Sequence, residues 1–152
     1  MRIGRFAFVA AVMSFTTLAF AQESEFQGKI QEDMDGYKKQ FADNCGANVT
    51  MKYSGKLGSN PRETKDGNYS AVSSLCTAGL DAVAADLCQN NKVIKAAMSK
   101  VTSVTCTPGK GTLGYRLKGG ALTFMVDPVF KGNNVSSQES DLVQKMKNDL
   151  DK

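Results

Sequence analysis

The chain contains no histidine, and this limits what its other reactive side chains can do. Serine–histidine and cysteine–histidine catalysis are excluded, as is histidine-ligated zinc. Four cysteines remain, at Cys45, Cys76, Cys88 and Cys106, with 30, 11 and 17 residues between them. Those intervals fit no zinc pattern. An even count behind a secretory signal points instead to two disulfides in an oxidising compartment. Three pairings exist on paper. Cys76 and Cys88 lie twelve residues apart on one helical stripe. A continuous helix would separate them by about 18 Å, whereas bonded cysteines have Cα atoms within about 7 Å. Of the other two pairings, the shorter loops favour Cys45–Cys76 with Cys88–Cys106, although loop length alone does not fix connectivity.

Carboxylates are the remaining acid–base candidates. Asp81 and Asp86 would lie about 140° apart around a regular helix, so they are expected not to converge. Asp33 and Asp35 belong to a charged helix surface. Ser54-x-Lys56 offers no convergent serine–lysine pair. Gly109-x-Gly111-x-x-Gly114 matches the dinucleotide fingerprint by letter, but that motif needs a strand before it and a helix after it. Here a strand follows, so the glycines are expected to serve a turn and a strand pairing. No metal or cofactor is expected. Asn48-Val49-Thr50, Asn68-Tyr69-Ser70 and Asn134-Val135-Ser136 have the form of glycosylation acceptors, which matter only where the secretory route glycosylates.

Three cations form the first of two binding candidates. Lys52, Arg116 and Lys118 are expected on the sheet face opposite the core, with Ser103, Thr105, Thr123, Met125 and Gly114 among them. Such a flat, mildly basic surface would suit an anionic or protein ligand. The glycine-rich, charged loop over residues 55–68 is the other place where binding could reside.

The elements that must carry these residues follow from periodicity. Val72, Leu75, Cys76, Gly79, Leu80, Val83, Ala84 and Leu87 recur at three- and four-residue spacings, one face of a helix. Gly119-Gly120 separates two alternating runs, Thr112 to Lys118 and Ala121 to Val126, which predicts a two-residue hairpin. That turn sets Leu117 against Leu122, Tyr115 against Phe124 and Leu113 against Val126 on the buried face. Arg116 then opposes Thr123 and Lys118 opposes Ala121 on the other face. A first helix over residues 23–43 presents Phe26, Ile30, Met34, Tyr37 and Phe41. Val49 to Ser54 and Val101 to Cys106 read as strands, Lys92 to Ser99 as a short helix. A last helix presents Leu142, Val143, Met146 and Leu150, with Ser136 or Ser137 as its cap.

The first 21 residues read as a secretory signal. Arg2 and Arg5 precede an apolar run, and Ala19-Phe20-Ala21 is a small-x-small cleavage site. The run is shorter than the roughly 20 residues a membrane-spanning helix needs. The formal net charge is +4. Removing the signal takes away Arg2 and Arg5 and no acid, leaving 17 basic against 15 acidic residues. That near balance calls for neither nucleic acid nor an anionic membrane as partner.

The expectation is therefore a signal over residues 1–21 and one disulfide-bonded α+β domain over 22–152. The domain has the order α-β-α-β-β-β-α, with a four-stranded antiparallel sheet covered on one face by helices and held by two disulfides. It is expected to be exported, periplasmic or extracellular. The expected function is non-catalytic binding of a protein or an anionic envelope ligand. The alternative is a small carboxylate-based hydrolase of the envelope.

Overall fold

The computed structural model describes residues 25–55, 68–109, 111–127 and 135–151. The expected signal over 1–21, residues 56–67 of the expected 55–68 loop, the acceptor Asn134 and the rest of residues 128–134 lie outside the described residues. The chain runs α1 (residues 25–35), α2 (Lys38–Gln40), a π-helical stretch π1 (Phe41–Cys45) and β1 (Thr50–Tyr53). Then come α3 (Asn68–Asp81), a second π-helical stretch π2 (Ala82–Leu87), α4 (Cys88–Asn90) and α5 (Lys92–Met98). The strands β2 (Ser103–Pro108), β3 (Gly114–Lys118) and β4 (Ala121–Val126) precede α6 (Val135–Leu150). The expected order is thus more finely divided: the first helix breaks at Gly36-Tyr37, and the second runs on through π2 into α4 before α5. Ser136 and Ser137 lie inside α6, not ahead of it as caps.

The fold is α+β with four strands and two disulfides, but the sheet is mixed rather than antiparallel. Its order is β1-β2-β4-β3; β1 and β4 both run parallel to β2, and β3 alone is antiparallel, to β4. Two physical causes account for the correction. The β1–β2 connection contains α3 to α5, and a helical crossover returns the chain in the same direction. Between β3 and β4, the more apolar strand takes the centre. Leu122, Phe124 and Val126 are each 0% exposed, whereas β3 carries Gly114, Arg116 and Lys118 and leaves Tyr115 and Leu117 only half buried. A central strand is covered on both sides, so the residues that bury best belong there.

The hairpin forms in the expected register, with Tyr115 against Phe124, Leu117 against Leu122, and Arg116 against Thr123. Gly119 (φ 55°) and Gly120 (φ 79°) both take the left-handed conformation that a type I′ turn requires. The core lies between the sheet and the helices. Met51, Tyr53, Val104, Cys106, Leu122 and Phe124 face inward, toward Val72, Leu75, Cys76 and Leu80 of α3 and Leu142 and Met146 of α6. Ile30, Met34 and Phe41 of the first helical pair are fully buried as their spacing predicts.

The disulfides correct the favoured pairing. Cys45 bonds Cys88, with Cα atoms 5.0 Å apart, and Cys76 bonds Cys106, with Cα atoms 5.9 Å apart. Packing, not loop length, selects the partners. Cys76 lies on the side of α3 that covers the sheet, where β2 presents Cys106. Cys45 ends π1 and Cys88 follows π2, and Asn44 Nδ2 of π1 donates to the Ala84 carbonyl of π2 at 3.0 Å. The separation of Cys76 from Cys88 holds as expected.

Candidate functional site

The outer face of the sheet collects the three cations. Pairing sets Lys52 beside Thr105, Thr105 beside Thr123 and Thr123 beside Arg116, one row across all four strands. The next row reads Thr50, Ser103, Ala121 and Lys118. Met51 and Tyr53 point into the core, so Lys52 must point outward. The cations do not cluster. Lys52 stands on one edge strand and Arg116 on the other, about 14 Å away across three strand spacings, while Lys118 is about 7 Å from Arg116 along β3. Between them runs a strip of hydroxyls, Ser103, Thr105, Thr107 and Thr123, half exposed.

The charges of the molecule are segregated by layer. No described strand contains an aspartate or glutamate, and every acid among the described residues lies in a helical segment or a connection. The ion pairs found there, Lys29–Glu25, Lys38–Asp35 and Lys39–Asp43, all belong to the first helical region. Among the described residues, Lys52, Arg116 and Lys118 pair with no carboxylate.

The glycines of the Gly109-x-Gly111-x-x-Gly114 motif each have a local use. A Cβ on Gly109 would lie 3.0 Å from Met125 Cβ, and one on Gly114 would lie 3.3 Å from Met125 Cε. Met125 thus lies along the outer face between two residues that lack side chains. Gly111 has φ 85°, and its N–H donates to Asp127 Oδ2 at 2.8 Å. No helix follows to receive a pyrophosphate.

The two edges of the sheet are finished differently. The even-numbered residues of β1 bond β2, as Thr50 N to Thr102 O and Ser54 N to Cys106 O show. The backbone groups of Met51, Tyr53 and Gly55 therefore face away from the sheet. Gln31 of α1 covers them: its Nε2 donates to Met51 O at 2.8 Å and its Oε1 accepts from Tyr53 N–H at 3.0 Å. Gln27, one turn earlier, donates to Gly55 O at 2.9 Å. Two side chains of one helix thus stand in for a neighbouring strand. Sequence reasoning missed this role; its trace was two glutamines at i and i+4 beside the apolar stripe.

A second cluster is acidic. Asp81 ends α3 and Asp86 lies in the π-helical stretch Ala82–Leu87. Glu139 of α6 faces both. Burial chiefly, then Asp81 and Asp86, push its carboxyl above the ordinary range. Tyr37 is raised by burial, then by Asp81, Glu139 and Asp33. No group of three or more His, Cys, Asp or Glu side chains among the described residues is arranged to hold a metal ion. No described helix is long and apolar enough to cross a membrane.

No protein-family model, curated protein or solved structure matches the chain.

Proposed function

We propose that this protein is a non-catalytic binding module of an oxidising, extracytoplasmic compartment, and that it holds an anionic partner on the outer face of its sheet. The observation that carries the proposal is the segregation of charge: Lys52, Arg116 and Lys118 stand on a face with no carboxylate among its strand residues. A rigid sheet pre-organises cations in a way that a loop does not. The two disulfides fit an oxidising location, and the sequence pattern supports export with cleavage after Ala21.

The test compares the wild type with the triple variant Lys52→Ser, Arg116→Ser, Lys118→Ser on immobilised polyglutamate. A control variant, Lys92→Ser, Lys95→Ser, Lys147→Ser, changes the net charge equally on the helical side. The sheet variant should lose retention and the control should keep most of it, with the difference shrinking at about 0.15 M salt as screening grows. Equal retention by the two folded variants would refute the proposal.

The alternative, a carboxylate-based hydrolase, draws on Glu139, whose carboxyl is raised by burial and by Asp81 and Asp86. It would require Glu139→Gln to abolish a hydrolytic activity of the exported protein.

A further inference from the structure

We infer that the free edge of β3 accepts an extended acidic peptide segment as an added fifth strand; this rests on the proposal that the outer face binds an anionic partner. The hydrogen-bond pattern identifies the groups concerned. Gly109 N–H bonds Val126 O, so the even-numbered residues of β4 face β2 and the odd-numbered ones face β3. Gly114, Arg116 and Lys118 therefore direct their backbone groups to β4. Tyr115 and Leu117 present both N–H and C=O groups to the outer edge, and no described residue bonds them. The opposite edge is closed by Gln31 and Gln27. An edge left with open backbone groups is a template for a strand.

The occupant is argued from charge and register. Arg116 and Lys118 flank the edge on its outer face, so alternate residues of an added strand would meet two cations. On its inner face, Tyr115 and Leu117 are half buried and offer apolar contact. A second copy of the chain fits poorly. Antiparallel self-pairing through these groups has three registers. Tyr115 against Leu117 sets Arg116 against Arg116 of the other copy. Leu117 against Leu117 sets Arg116 against Lys118, and like charges directly opposite destabilise a pair. Tyr115 against Tyr115 brings Leu117 opposite Leu113, whose N–H already donates to Gln138 Oε1 at 2.6 Å.

The probe is a synthetic peptide of alternating glutamate and valine. Two analogues carry backbone N-methyl groups, one on every glutamate and one on every valine. The full-length exported protein should bind the unmodified peptide, and one analogue should bind at least about tenfold more weakly, because it loses the donors aimed at β3. Amide hydrogen exchange at Tyr115 and Leu117 should slow on binding, while that at Arg116 changes little. Arg116→Ser with Lys118→Ser should weaken binding most at low salt. Binding that neither analogue weakens, with no slowing at Tyr115 and Leu117, would overturn the edge inference while leaving the anionic face intact. Absence of peptide binding by a wild type that is still retained on polyglutamate would overturn the edge inference alone, and absence of both peptide binding and wild-type retention would overturn both. Concentration-dependent protection of Tyr115 and Leu117 without peptide would replace the peptide with a second copy and overturn the inference.

Discussion

Gly79 of α3 stands so close to Phe124 of β4 that a Cβ on it would lie 2.9 Å from the ring's Cδ1 atom. The missing side chain lets the helix settle onto the most buried strand. Phe124 is fully buried and has nowhere to retreat.

Gly79→Ala is therefore expected to destabilise the fold by up to about 2 kcal/mol, an overpacking cost of about 1–3 kcal/mol less the roughly 1 kcal/mol that alanine gains as a helix former. Gly28, inside α1, has open space where a Cβ would stand, with nothing within 4 Å of it. There only the helix gain operates, and Gly28→Ala should stabilise by about 0.5–1 kcal/mol. Urea unfolding of the two variants should give shifts of opposite sign; two shifts of the same sign would show that the Phe124 contact does not govern the packing.

Gln31 closes the β1 edge with one donor and one acceptor. Gln31→Met removes both and should cost about 1–2 kcal/mol, since each bond is partly replaced by water. Gln31→Glu keeps the acceptor for Tyr53 N–H but offers Met51 O no donor when ionised. Hydrogen exchange at Tyr53 should accelerate in the methionine variant and much less in the glutamate variant.

Non-reducing peptide mapping should return Cys45–Cys88 and Cys76–Cys106 and no other linkage. The sequence separations are 43 and 30 residues. Loop-entropy arithmetic gives each bridge about 3.5–4 kcal/mol, with little to choose between them. Paired replacement of either bridge by alanine should lower the urea midpoint substantially, and a larger loss is expected for Cys76–Cys106, which joins helix to sheet across the core.

Tyr115 donates its hydroxyl to Asp149 Oδ2 at 2.9 Å, with Lys145 5.9 Å from the ring centroid. Burial chiefly, then that carboxylate, push the phenol from the usual 10.0 up to about 12. The folded protein thus holds this proton more tightly than the unfolded chain. Between about pH 10 and pH 12 the folded state binds more protons, so its stability falls as pH rises through that window. Ultraviolet titration of Tyr115→Phe should lose a tyrosine transition near pH 12, and the variant's stability should fall less steeply across the same window. Asp149→Asn should lower the transition without bringing it to the ordinary value, because burial remains.

The hairpin was legible because its determinants are local. Gly119-Gly120 marks a two-residue turn whose two positions both take positive φ, and alternation on both sides then fixes which residues oppose. The division of the sheet into an inner face bearing Met51 and Phe124 and an outer one bearing Lys52 and Arg116 followed from the same period of two. Strand order was not legible, because it depends on competition between β3 and β4 for the centre, a comparison of whole strands. The pairing of Cys45 with Cys88 depended on how π1 lies against π2. A π-helical stretch leaves little trace in residue spacing, so the departure of Ala82–Leu87 from 3.6 residues per turn was not legible. The glutamine closure of β1 required knowing that α1 lies along that edge.

The order in which the cysteines bond has a bearing on survival after proteolysis. The bridges interleave: the span from 45 to 88 overlaps the span from 76 to 106. A single backbone cut anywhere between Cys45 and Cys106 leaves at least one bridge across the break. The nicked product stays one covalent molecule of two chains, with its partners held near their native positions. Sequential bridges, Cys45–Cys76 and Cys88–Cys106, would leave the stretch between Cys76 and Cys88 unspanned, and a cut there would release two free halves. Interleaving thus makes damage repairable by simple re-docking, a useful property wherever a protease can reach the chain and resynthesis is not at hand.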